Sequence, residues 1–135
     1  MNVRKLQILV VIVMITLAVL ACGGSFSTAK IASAKMAADN TGTQLTTVFA
    51  QDQTFYCIIE LANAPEDTKL KAVWTAVEAE GLQPNLLLAQ TEVTAGTQNV
   101  IPFHLSNNQL WPTGKYKIDL YLNDKLDRTL EFEVK

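Results

Sequence analysis

The feature that most narrows what this chain can fold into is a two-residue alternation of apolar and polar side chains near its carboxyl end. In KYKIDLYL, Tyr116, Ile118, Leu120 and Leu122 share one face of an extended chain, with Lys115, Lys117, Asp119 and Tyr121 on the other. Successive side chains of a strand point to opposite sides, so this is a strand buried on one face. LDRTLEFEV repeats the pattern, with Leu126, Leu130, Phe132 and Val134 in phase against Asp127, Thr129, Glu131 and Glu133. Arg128 breaks the phase, which puts it at the rim with its stem along apolar surface, or marks a bulge that shifts the register. A three-residue connection, Asn123-Asp124-Lys125, sets Leu122 opposite Leu126 and joins the two runs as a hairpin.

Five more short runs precede these: Leu45 to Phe49, Thr54 to Leu61, Lys69 to Ala79, Leu86 to Thr94 and Gln98 to Leu105. Turn-forming residues separate them at Gln51-Asp52, Ala64 to Asp67, Gly81 to Pro84, Ala95-Gly96 and Asn107-Asn108. Seven such strands at this spacing predict an all-β fold, a single antiparallel β-sandwich over residues 45–135. The run Lys69 to Ala79 also fits a three-turn helix by its Ala and Glu content. Trp74 and the β-branched Val73, Thr75 and Val77 favour the strand.

On these residues the chain resembles the immunoglobulin-like sandwiches. Cys57 stands where the first core cysteine falls, Trp74 in KAVWTAV is similar to the core tryptophan, and Gly114-Lys115-Tyr116-Lys117-Ile118 resembles the tyrosine-corner segment. Ile118 takes the place of the second cysteine, Pro112 stands where an Asp is common, and the interval from Cys57 to Trp74 is slightly long. The resemblance implies a fold and no particular function.

The amino-terminal residues read differently. Arg4 and Lys5 precede a nearly unbroken apolar run from Leu6 to Ala21, the layout of a secretory signal over residues 1–21. The run is roughly sixteen residues, short of the ~20 that cross a bilayer core. It ends on Val19-Leu20-Ala21-Cys22, which resembles the bacterial lipoprotein signal, with Leu20 a mild departure. That resemblance implies lipid on the Cys22 thiol, cleavage after Ala21, and stable attachment to a membrane, since two or more acyl chains are needed to hold firmly. It also implies an extracytoplasmic place at the cell membrane or, with the neutral Gly23 after the cysteine, at a Gram-negative outer membrane. The competing readings are a permanent span and an ordinary cleaved signal that leaves Cys22 as a free thiol. Residues 22–44, rich in Ala, Ser, Lys, Gly and Thr, read as a flexible tether of about 25 Å span.

Composition narrows function. The whole chain carries a net charge of −2 with no basic patch, so nucleic acid is not an expected partner. With Cys22 lipidated, Cys57 has no intramolecular partner, and the expectation is a buried core thiol. His104 is the single histidine, in a phase that turns it to solvent, and no metal or other cofactor is expected. The acidic pairs Glu66-Asp67 and Asp124 to Asp127 read as solvated turn carboxylates. No nucleophile elbow, phosphate loop or calcium loop is present, so no catalytic residue is assigned and the chain is read as a non-enzyme. What remains is surface. With Trp74 inward, Val73, Thr75 and Val77 point outward beside Tyr121 in an apolar stripe; Trp111 before the last hairpin is a further candidate, although an aromatic plugging the end of the sandwich is the favoured reading of it. Such a stripe fits a protein or cell-envelope partner, and fits equally a scatter of surface apolar residues that needs no explanation. The alternative is a small-ligand or substrate-capture domain serving a transporter or envelope enzyme, which requires a concave apolar pocket.

Overall fold

The architecture comes from a computed structural model in which residues 28–135 are described. The signal segment and Cys22 lie outside the described residues. Eight strands run in chain order: β1 (Lys30–Ala37), β2 (Val48–Phe49), β3 (Phe55–Ala62), β4 (Lys69–Ala79), β5 (Leu86–Thr94), β6 (Val100–Leu105), β7 (Gly114–Leu122) and β8 (Lys125–Val134). They form two sheets, β1-β3-β6 and β2-β8-β7-β4-β5. All pairings are antiparallel except that of β2 with β8. The fold is an immunoglobulin-like β-sandwich, with β5 hydrogen-bonded to β4 in the larger sheet.

Alternation builds the core. Phe55, Cys57 and Ile59 of β3 face Leu70, Ala72, Trp74 and Ala76 of β4, and Tyr116, Ile118 and Leu120 of β7, all at most 1% exposed. The small Ala72 and Ala76 on either side of Trp74 leave room for its indole in a layer that packs at crystal-like density. Phe55 is the hub of an aromatic cluster, with ring centroids 4.7 Å from Trp111, 4.8 Å from Phe132 and 5.0 Å from Phe49. Tyr116 Oη donates to the Pro112 carbonyl at 2.6 Å, which closes the tyrosine corner. The Lys69–Ala79 run is a strand, because every second residue from Leu70 to Ala76 is needed inside.

Three expectations change. The tether over 22–44 is shorter than its composition suggests, because Lys30–Ala37 is strand β1, paired with β3 from Lys30↔Ala62 to Ala37↔Tyr56. A bulge between Ile31 and Ser33 breaks the alternation and still buries Ile31, Met36 and Ala37. The Leu45 to Phe49 strand shrinks to Val48–Phe49, because Asp39 organises the preceding turn: its carboxylate accepts from the Thr41 and Thr43 hydroxyls and from the Thr43 and Gln44 backbone N–H groups. These donors hold the Asp39 carboxyl well below the usual carboxylate range, the Thr41 hydroxyl most strongly. Finally, the last hairpin closes with two residues. Asn123 and Asp124 both have positive φ, at 48° and 66°, the primed turn that suits strand twist. Leu122 pairs Lys125, Tyr121 pairs Leu126, and a bulge at Asp127 sets Arg128 opposite Leu120. Leu126 therefore faces outward, 51% exposed, and Arg128 faces inward.

Candidate functional site

The outward face of the larger sheet can be assembled from its registers, since directly paired residues share a face. Leu87 of β5 pairs Thr75 of β4, which pairs Lys117 of β7, which pairs Glu131 of β8. The next row is Gln90, Val73, Asp119 and Thr129, and the one after it Glu92, Lys71, Tyr121 and Leu126. Val73 is directly opposite Asp119, which makes Tyr121 its diagonal neighbour, within reach of an aromatic side chain. Leu87, Thr75, Val73, Tyr121 and Leu126 thus make an apolar diagonal across four strands. Its two ends are the most open, Leu87 at 58% and Leu126 at 51% exposed, while Val73 and Tyr121 are half-buried.

Polar groups border the diagonal on both sides. Lys71 Nζ lies 4.4 Å from the Tyr121 ring centroid, a cation over an aromatic face. Lys117 Nζ lies 3.4 Å from Asp119 Oδ2, and the Asp119 carboxylate also accepts from the Thr129 hydroxyl. Asp119 is thus held from both sides, by Lys117 along its own strand and by Thr129 across the pair.

The residues singled out in the sequence separate into those that share this face and those that do not. Val73, Thr75, Val77 and Tyr121 are outward, but Thr75 is only 8% exposed and adds shape more than contact area. Val77 sits apart, lining a shallow cleft of about 380 Å³ with Thr47, Val48, Lys115, Glu131 and Glu133. Trp111 is removed from the candidate surface. Its ring stacks on Phe55, its Nε1 donates to the Gln53 carbonyl at 3.0 Å, and its backbone exchanges hydrogen bonds with Gln51, so it plugs the end of the sandwich. Sequence reasoning missed Leu87 and Leu126. Leu87 lies among three consecutive leucines, Leu86 to Leu88, and the bulge between Trp74 and Thr75 in the β4–β5 pairing sets it opposite Thr75 on the outward face. Leu126 was assigned inward by an alternation that the Asp127 bulge reverses.

The groups that could carry chemistry are dispersed. His104 is exposed on the outer face of the smaller sheet, its ring 6.1 Å from that of Tyr56. Cys57 is fully buried, and desolvation pushes its thiol up to about 12 against a smaller opposing pull from Arg128. It is a packing residue and a poor nucleophile at neutral pH. Among the described residues no group of three or more His, Cys, Asp or Glu side chains is placed to hold a metal ion. A groove of about 650 Å³ opens between β1 and β8, lined by Ala34, Met36, Leu45 and Leu130 with Lys35 and Glu131 at its edge.

No family model matches the chain, and no curated protein matches it. Solved structures share its fold at low sequence identity. An alkylpurine DNA glycosylase, AlkC, of Pseudomonas fluorescens bound to DNA containing an abasic site analog matches with TM-score 0.52 and 16% identity over 81% of this chain, which spans 31% of that protein. The C-terminal domain of wzt matches with TM-score 0.50 and 12% identity, over 83% of this chain and 76% of that one. An immunoglobulin-like protein of Pseudomonas aeruginosa is 17% identical, with TM-score 0.49, over 83% of this chain and 100% of that one. At these identities the likeness is one of fold alone.

Proposed function

We propose that this protein is a lipid-anchored, extracytoplasmic component of a bacterial envelope, whose sandwich is a non-enzymatic binding module for a protein or cell-envelope partner. The observation that carries the binding role is the apolar diagonal from Leu87 to Leu126, bordered by Lys71, Lys117 and Asp119. A sheet face with an apolar centre and a charged border fits the anatomy of a protein-binding surface. Val19-Leu20-Ala21-Cys22 supports the anchor, with Cys22 carrying the lipid.

In-cell crosslinking from a photoreactive residue at Tyr121, read by mass spectrometry, tests the module. A discrete crosslinked species that disappears in a Leu87→Asp/Val73→Asp variant supports it, and the same pattern from wild type and variant defeats it. Cys22→Ser should release the protein from the membrane fraction. The second reading, capture of a small ligand, is favoured by the groove lined by Met36, Leu45 and Leu130. It predicts that Leu130→Arg, rather than the wall variant, abolishes binding.

A further inference from the structure

We infer that the sandwich stands on the membrane by one end, with the β3–β4, β5–β6 and β7–β8 turns resting against lipid headgroups and the opposite end held outward. This inference rests on the anchoring at Cys22 proposed above. It follows from where β1 begins. Thr28, at the start of the described residues, donates its hydroxyl to the Asn63 carbonyl in the β3–β4 turn at 3.4 Å, and β1 enters the smaller sheet at Lys30↔Ala62. The same end carries the β7–β8 turn, where Lys69 N–H donates to Asn123 Oδ1 at 2.9 Å. It also carries the β5–β6 turn, tied to the β3–β4 turn through Gly96 N–H and the Glu66 carbonyl at 2.9 Å.

Lengths exclude an inverted domain and keep the near end within reach of the proposed anchor. Five residues lie between Cys22 and Thr28, six Cα-to-Cα steps, which even fully extended reach only about 20 Å. β4 spans the sandwich with 11 residues, about 36 Å of strand. An inverted domain would need its first strand to start about 36 Å above the bilayer, beyond the reach of the connection whatever its conformation. A tether running to residue 44 would have permitted any orientation. The strand at 30–37 is what restricts it. The turns at the near end are polar, with Asn63, Glu66, Asp67 and Asn123 exposed, a surface suited to headgroups and not to insertion. The β4–β5 and β6–β7 turns, with Leu110 65% exposed, are consequently the parts most accessible to a partner approaching from outside.

The test uses the full chain, processed in cells, purified and reconstituted in phosphatidylcholine vesicles that carry a headgroup-linked quencher. Asp67→Cys at the near end and Asn108→Cys at the far end are labelled with a thiol-reactive fluorophore; the buried Cys57 does not compete for it. The label at residue 67 should be quenched several-fold more than that at residue 108. Equal quenching, or stronger quenching at 108, overturns the orientation. Flotation of the same samples separates the two propositions: a protein that floats and shows equal quenching is anchored but not upright, whereas one that fails to float defeats the anchor and the orientation together.

Discussion

Gly114 shows how tightly the frame around the wall is drawn. Its φ of 150° is disfavoured for residues with a side chain, and a Cβ there would lie 2.2 Å from the Glu78 carbonyl oxygen and 2.5 Å from Ala79 Cα. Gly114→Ala should cost about 2–3 kcal/mol, seen as a lower urea midpoint with an unchanged slope; an unshifted midpoint would show that β4 and β7 are not so close there. Cys57 makes a second, independent prediction. Its thiol ionises near 9.0 when unfolded and at about 12 when folded, so the folded-state value is raised. Its contribution to stability is therefore complete below pH 9 and is lost as pH rises from 9 towards 12. Unfolding measured across that window should fall by about 1.4 kcal/mol per pH unit from this group, and Cys57→Ala should flatten that slope. Burial also raises the Tyr116 hydroxyl, which adds a slope of the same sign that persists in the variant. A slope unchanged by Cys57→Ala would mean that the thiol is not desolvated.

At the scale of elements, what could be read from the sequence depended on unbroken alternation. β7 gave itself away because Tyr116, Ile118 and Leu120 follow one another without interruption, and β4 because Trp74 sits among β-branched residues. β1 was hidden for two physical reasons: its alanine-rich KIASAKMA favours helix locally, and its bulge removes the period that marks a strand. Pairing along β3 and burial of Met36 and Ala37 outweigh that local preference. The wall was half legible for the same reason. Val73 and Tyr121 were placed correctly by phase, whereas two bulges, one in the β4–β5 pairing and one at Asp127, put Leu87 and Leu126 beside them. For Trp111 the sequence leaves an end plug and a surface aromatic side by side, and the structure has the plug, 6% exposed and stacked on Phe55. The Asp127 bulge also turns Arg128 inward, where its Nη2 donates to the Ile31 carbonyl of β1 at 2.7 Å and joins the two sheets across their edge. Arg128→Ala should weaken this link by about 1 kcal/mol, a charged hydrogen bond discounted for its partial exposure. Faster amide exchange confined to β1 would report the loss, and uniform exchange rates would argue against the link.

For the whole molecule, the proposed upright stance rests on one statement: the compact domain includes β1, so that the proposed lipid on Cys22 would be joined to it by a short connection. Three of the strand edges carry features that oppose pairing with a further strand. β2 has two residues and β6 carries Pro102, both common ways of blunting an edge, while β1 carries Lys30 and Lys35. Hydrogen exchange of the full chain, followed residue by residue, tests the statement about β1 most directly. The account predicts that the β1 amides hydrogen-bonded to β3 exchange as slowly as those of β3 itself. Exchange of residues 30–37 at the rate of an unstructured linker, with β3 still protected, would contradict it.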